Sequence, residues 1–210
     1  MNKLLLLAAA SMLALCAGGA LATAPMASPP LRPNKEQMLY NQNSNNSGVG
    51  FVSQNFSSAN SAYDIAVADD FIVPKSSKWR VEEVDVTGVY AGSGPASSEN
   101  VAFYRNKDGL PGKVMAAYTD IAGSDDSGSF SITLPKALAL KPGHYWVSVV
   151  VNMDFSCCGE WGWEGNTTLS NDAAAYEGYG CGKSGTWCRE DVNGYTQDQM
   201  FDLKGTSRNK

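Results

Sequence analysis

Aromatic rings, carboxylates and cysteines crowd one stretch of this 210-residue chain, and their spacing limits the chemistry open to it. Between Cys157 and Tyr195 stand Trp161, Trp163, Tyr176, Tyr179, Trp187 and Tyr195, interleaved with glycines and with Cys157, Cys158, Cys181 and Cys188. Flat rings carried on braced loops are what a sugar-stacking site uses. The apolar face of a pyranose packs on the ring, while neighbouring Asn, Asp and Glu take its hydroxyls. Trp187, Tyr176, Tyr179, Trp161 and Trp163 are therefore the candidate ligand-binding residues, with a glycan or cell-surface polymer as the partner. The competing reading is packing, since Trp161 and Trp163 alternate with Glu160, Gly162 and Glu164 as the core-facing residues of a strand do.

Catalytic groups are sparse. Nucleophilic catalysis needs a base beside Ser or Cys, and the one histidine, His144, has no Gly-x-Ser-x-Gly elbow to serve. No glycine-rich phosphate cradle or dinucleotide fingerprint follows a strand. Glycoside hydrolysis needs only two carboxylates, about 5–5.5 Å apart for retention or about 6.5–9.5 Å for inversion. Glu83 and Asp85 share a strand face about 6.6 Å apart by the rise per residue, but they project side by side instead of across a substrate. Glu160 and Glu164 are about 13 Å apart along an extended strand. No catalytic residue is assigned.

Asp69 and Asp70 sit between Val67 and Phe71 in a strand-like run, an unusual place for two acids. Hard oxygen ligands suit calcium, so this doublet is the candidate for a structural calcium ion, although no Asp-x-Asp-x-Asp-Gly loop accompanies it. The alternative is a carboxylate bonded to the backbone donors of a turn.

Four cysteines beyond residue 24 allow three pairings, and their spacing fits no ordinary zinc finger. Cys181 and Cys188 enclose a short loop with Gly182 and Gly185 that can close on itself, so this pair is favoured. The adjacent Cys157 and Cys158 then bond to each other in a vicinal turn or stay reduced; pairs crossing between the two loops are the other solution.

The elements that must position these residues follow a leader. Residues 1–24 carry Lys3, an apolar run from Leu4 to Leu15 and a small-residue site at Ala22-Thr23-Ala24, the pattern of a secretory signal peptide. It predicts a periplasmic or secreted protein whose cysteines form disulfides, with no membrane span. Cys16 follows the bulky Leu15, which disfavours a lipoprotein. The net charge of −5, with no basic run, argues against nucleic acid or anionic membrane as partner. Residues 25–37 read as a Pro-rich tether, 38–206 as one domain and 207–210 as a tail.

Within 38–206 the dominant signal is period two, bounded by Gly, Pro, Asn and Asp clusters. It is clearest over His144–Met153, where Tyr145, Val147, Val149 and Val151 share one face, and over Ser129–Leu134. Strands are also predicted at Val49–Phe56, Ile65–Val73, Trp79–Tyr90, Asn100–Arg105, Val114–Thr119, Glu160–Glu164 and Met200–Lys204, with a helical turn or two over Asp172–Glu177. Many short strands and almost no helix predict an all-β fold, a two-sheet β-sandwich of jelly-roll type with a disulfide-braced loop region.

Several phrases recur in an order that identifies a resemblance: Ser53-Gln54-Asn55-Phe56, Ala68-Asp69-Asp70-Phe71-Ile72-Val73-Pro74, Val84-Asp85-Val86-Thr87-Gly88-Val89-Tyr90, Leu110-Pro111-Gly112, Lys141-Pro142-Gly143-His144-Tyr145-Trp146-Val147 and Trp161-Gly162-Trp163-Glu164. Together, over about residues 38–205, they resemble an uncharacterised β-sandwich module of bacterial exported proteins. The resemblance implies the sandwich and export, and no reaction. It also implies that the Cys181–Cys188 loop is a family feature and that the Cys157-Cys158 doublet is peculiar to this chain. The expectation is an exported, non-enzymatic binding or surface-interaction module. A carboxylate-dependent hydrolase and a purely structural extracellular protein are the alternatives.

Overall fold

The computed structural model describes residues 35–182, 185–190 and 198–209. The leader, most of the Pro-rich tether and Tyr195 lie outside the described residues. The strands run in chain order β1 (Gln37–Asn41), β2 (Asn46–Val52), β3 (Gln54–Asn55), β4 (Ile65–Val73), β5 (Ser77–Val86), β6 (Gly88–Ala91), β7 (Ser98–Lys107) and β8 (Leu110–Ile121). They continue with β9 (Ser124–Asp126), β10 (Ser129–Leu140), β11 (Gly143–Asn152), β12 (Glu160–Asn166), β13 (Ala175–Gly178), β14 (Cys188–Arg189), β15 (Asp198–Gln199) and β16 (Phe201–Asn209). A 3-10 helix covers Ser58–Tyr63 and one short helix, α1, covers Phe155–Cys158.

One sheet has the order β1-β16-β5-β10-β9; the other has β14-β13-β4-β3-β11-β7-β8, with β4 also pairing directly with β11. Eight strands form the frame: β1, β4, β5, β7, β8, β10, β11 and β16. Numbered by their place in the chain, they read 1-8-3-6 in one sheet and 2-7-4-5 in the other, which is the double Greek key of a jelly roll. The remaining strands are insertions. β2 and β3 lie between the first and second frame strands, β6 between the third and fourth, and α1 with β12–β15 between the seventh and eighth. From them comes a third, small sheet, β15-β12-β2, with β6 also on β12.

Alternation explains the core. Tyr145, Val147, Val149 and Val151 of β11 and Phe130, Ile132 and Leu134 of β10 are all buried, facing Val81, Val84 and Val86 of β5 across the sandwich or along the sheet. Phe71 is the hub, with ring centroids 6.2 Å from Trp79, 5.8 Å from Tyr145 and 6.4 Å from Phe103. Strand β12 drives Trp161 and Trp163 into this core, both at 0% exposure. Each indole finds an acceptor: Trp161 Nε1 donates to Gly128 O at 2.7 Å and Trp163 Nε1 to Met200 O at 2.8 Å. Gly88 makes room for Trp161, because a Cβ there would lie 2.4 Å from its Nε1.

The Ser53-Gln54-Asn55 phrase knots the insertions to the frame. Ser53 Oγ donates to Val149 O and accepts from Val67 N, so it bridges β11 and β4. Gln54 Nε2 donates to Met153 O and Gly159 O, while its Oε1 accepts from Trp161 N. A buried amide with all these partners fixes where β12 begins.

Three expectations are corrected. Asp172–Glu177 is not helical: Ala175–Gly178 is strand β13, paired with β4 and β14, because its small residues pack flat on the sheet beside Trp146. The strand predicted over Trp79–Tyr90 is two strands that part at Thr87, with β6 leaving for β12. Residues 207–209 are not a tail but the end of β16, pairing with Ser77–Trp79.

Truncating Trp163 to alanine is expected to lower unfolding stability by about 3–5 kcal/mol in urea titrations. Gly88→Ala, which drives a methyl into Trp161, is expected to cost about 1–3 kcal/mol. A Gly88→Ala protein as stable as wild type would mean that the Trp161 contact is not tight.

Candidate functional site

The insertions meet at one place and leave an open groove of about 740 Å³. Its walls come from β2 (Val49, Phe51, Val52), from Phe56, Asn60 and Tyr63 around the 3-10 helix, from Phe155 and Glu160, and from Tyr176, Tyr179 and Gly180. Three rings present broad faces to solvent: Tyr63 at 52%, Phe155 at 51% and Tyr179 at 60% exposure. Tyr63 and Tyr179 stand as a pair, centroids 5.1 Å apart and tilted by 58°, and Phe155 lies 6.4 Å from Phe56. Beyond Tyr179 a second, polar cleft of about 480 Å³ is lined by Asn55, Ser61, Asp64 and Glu177 among others, so the Tyr179 ring serves both walls.

Local chemistry holds these loops. Asp64 Oδ1 accepts from Phe56 N at 2.8 Å, and its carbonyl accepts from Tyr179 N at 3.0 Å. That close approach needs glycine at 178, where φ is +104° and a Cβ would lie 2.2 Å from Asp64 O. On the other rim Asp154 caps α1, its Oδ1 accepting from Ser156 N at 2.8 Å. The cysteines stand at disulfide distance in two pairs, Cys157 with Cys158 just after Phe155, and Cys181 with Cys188 just after Gly180. Each pair braces one side of the groove.

Of the rings singled out in the sequence, Tyr176 and Tyr179 line the groove. Trp161 and Trp163 are core residues with no face for a ligand, which corrects their assignment as contact residues. Trp187 is half-buried on the outer face of the larger sheet, its ring 5.4 Å from Tyr104 at 75° and packed with Ala68, Trp146 and Ala175, away from the groove. Phe51, Phe56, Tyr63 and Phe155 were not anticipated. No local signal marks them: Phe51 lies within β2 and the other three in short connections, and the fold alone brings them to one groove.

The carboxylates do not form a hydrolytic pair. Glu83 and Asp85 both bind Lys204, Glu83 at 2.7 Å. Glu164 is engaged by Asn46. Glu160 is the one acid on the groove wall among the described residues, whereas glycoside hydrolysis needs two.

A second cluster is buried beside β4. Asp69 and Asp70 point to opposite faces of that strand. Asp69 is bonded to N–H donors, though not those of a turn: Oδ1 accepts from Asp70 N at 2.7 Å, and Oδ2 from Gln42 Nε2 at 2.7 Å and Gln199 N at 2.6 Å. Asp70 lies on the outer face, where its Oδ2 meets His144 Nε2 and accepts from Asp172 N at 3.2 Å. His144 therefore faces a carboxylate instead of a hydroxyl or thiol. Burial pushes the Asp69 carboxyl well above the usual carboxylate range, and repulsion from Asp198 adds to it. Asp198 is pushed up to about 7, chiefly by burial, and Glu190 to about 8, by burial and then by Asp198. Among the described residues the Glu190 carboxylate receives the side-chain amide of Gln199, at 3.2 and 3.3 Å.

Compared with family models, curated proteins and solved structures, the chain matches none. Among the described residues no helix is long and apolar enough to cross a membrane.

Glu190 gives a pH test. Burial pushes its carboxyl up to about 8 from the ordinary value of 4.5, so the folded state holds the proton more tightly than the unfolded chain. The stabilisation is complete below about pH 4.5 and is lost as pH rises through about 8. Melting temperature is expected to fall between pH 5 and pH 8.5, and Glu190→Gln, which stays neutral, to flatten that slope. An unchanged slope in Glu190→Gln would show that this carboxyl does not titrate with folding.

Proposed function

We propose that the protein is an exported, non-enzymatic module that binds a glycan along the groove. The observation that carries this reading is the row of exposed rings, Phe155, Tyr63 and Tyr179, continued past Tyr179 by a polar cleft. Pyranose rings would stack on Tyr179 and Tyr63 by their apolar faces. The hydroxyls would reach Asn55, Ser61, Asp64 and Glu177 in the cleft. A chain of two or three sugars suits this layout better than a compact apolar ligand does, because a polar cleft continues from the stacking rings. Export rests on the leader and on the resemblance to exported sandwich modules, and it agrees with cysteines at disulfide distance.

Two measurements test this. On a polysaccharide retained by the wild type, Tyr179→Ala and Tyr63→Ala are each expected to weaken binding by about 1–3 kcal/mol with little change in melting temperature, the loss expected for a solvent-facing aromatic anchor. Trp187→Ala, outside the groove, is expected to bind as the wild type does. If a glycan array and insoluble polysaccharides retain nothing, or if Tyr179→Ala binds undiminished, a purely structural role replaces this one. For export, N-terminal sequencing of the purified protein is expected to begin at Pro25.

A further inference from the structure

We propose that Asp70, His144 and Asp172 hold a divalent transition-metal ion, zinc being the one whose ligand preferences they fit. The site lies on the outer face of the larger sheet and does not depend on the groove or its ligand.

The geometry comes first. One ligand atom from each of the three residues lies within 4.8 Å of the others. His144 Nε2 and Asp172 Oδ2 are 3.9 Å apart, too far for a hydrogen bond. Two ligands sharing one zinc, with bonds of about 2.0–2.2 Å, stand roughly 3.4 Å apart in a tetrahedron, so an ion would be seated if the partly exposed imidazole drew back from its contact with Asp70 Oδ2 and Asp172 moved slightly inward.

Burial supplies the independent observation. Asp70 is fully buried, yet its Oδ1 has no hydrogen-bond partner, and the same holds for Asp198 Oδ1, on a carboxylate close enough to Asp70 to repel it. Asp85 Oδ1 and Asp202 Oδ1 also lack donors, but the charge of Lys204 lies beside both carboxylates; Asp70 and Asp198 have no Lys or Arg paired with them among the described residues, and a bound cation is one of the few things that accounts for such oxygens. Positive charge is scarce around them: Asp69, Asp70, Asp172, Glu190 and Asp198 gather here, and the cation paired with any of them among the described residues is Arg189, 3.5 Å from Asp172, besides His144 itself.

The scaffold is rigid where it matters. Asp70 and His144 come from the paired strands β4 and β11, in register Asp70↔Trp146 and Ile72↔His144, and so share a face. The imidazole lies over Trp146, centroids 6.3 Å apart at 17°. Asp172 is held by its own backbone N–H on Asp70 Oδ2 and by Arg189, which follows Cys188 of the closed loop. The histidine nitrogen decides the metal class. Calcium and magnesium take oxygen ligands, whereas one imidazole with two carboxylates suits zinc and its first-row neighbours. With side-chain exposures of 25% for His144 and 31% for Asp172, solvent reaches the site and leaves a coordination position open.

The test uses untagged full-length protein, stripped with a chelator and titrated with zinc chloride by calorimetry, with calcium chloride in a parallel run. One zinc ion per chain is expected, bound at least about 100-fold more tightly than calcium, together with a rise in melting temperature. His144→Gln and Asp172→Asn change partly exposed side chains and are expected to fold as the wild type does, which circular dichroism checks. Each is expected to weaken zinc binding by about tenfold or more. The proposal is overturned if the stripped wild type binds no zinc, if calcium binds as tightly as zinc, or if the folded His144→Gln, Asp172→Asn double variant still binds zinc with wild-type affinity.

Discussion

The burial of Trp161 and Trp163 is the constraint on which the rest of the structure depends. An eight-strand jelly roll closes its own core, and here the seventh-to-eighth crossing returns into that core with two indoles. Each fully buried ring contributes on the order of several kcal/mol, but only if its N–H is satisfied, and Gly128 O and Met200 O meet that condition. Once the two rings are seated, β12 cannot slide. A slip of one residue would turn both tryptophans to solvent and bring Glu160 and Glu164 inward. Everything attached to β12 is then fixed as well: α1 and Phe155 before it, β2 and β6 beside it, and β15, which carries Asp198 and Gln199 to Asp69.

Frame and insertions thus divide the labour. The frame is built from β-branched and aromatic alternation. The insertions carry the exposed rings, the cysteine pairs and two of the buried acids, Glu190 and Asp198. Loops placed on a rigid sheet scaffold are where binding surfaces are usually found, since their backbone can vary without disturbing the core. The groove follows that rule: its walls come from two separate insertions, and bonds to single residues, Asp64 and Gln54 above all, hold them in place.

The frame was legible because period two survives without tertiary information. Ser129–Leu134 alternates cleanly and its buried residues are the ones the pattern names; in His144–Met153 the named face is buried too, but Trp146, Ser148 and Val150 on the other face are covered as well. Of the third sheet the strands over Val49–Phe56 and Glu160–Glu164 were legible but their pairing was not, and the Asn-Ser-Gly start of β2 owes its extended form to partners far away in the chain. Asp172–Glu177 shows the same limit: alanines favour helix locally, but pairing with β4 on one side and β14 on the other decides the outcome. For the site, Tyr176 and Tyr179 could be named from composition, whereas Tyr63 and Phe155 could not, because they join the groove only through the fold. Alternation already implied that Asp69 and Asp70 face opposite ways. It could not show that one meets a set of N–H donors and the other a histidine.

That difference between neighbouring acids bears on what the cluster is for. Removing a carboxylate from water costs several kcal/mol unless hydrogen bonds replace the lost solvation. Asp69 is compensated by three N–H donors, and its role as a strut between β4, Gln42 and Gln199 is explained by stability alone. Asp70 and Asp198 each keep an oxygen without a donor, and Glu190 leans on one amide. A fold that wanted only stability would gain from replacing them with apolar or amide side chains of similar size. Their retention beside His144, on the face where the Cys181–Cys188 loop closes over the sheet, points to a cationic occupant that supplies the missing compensation.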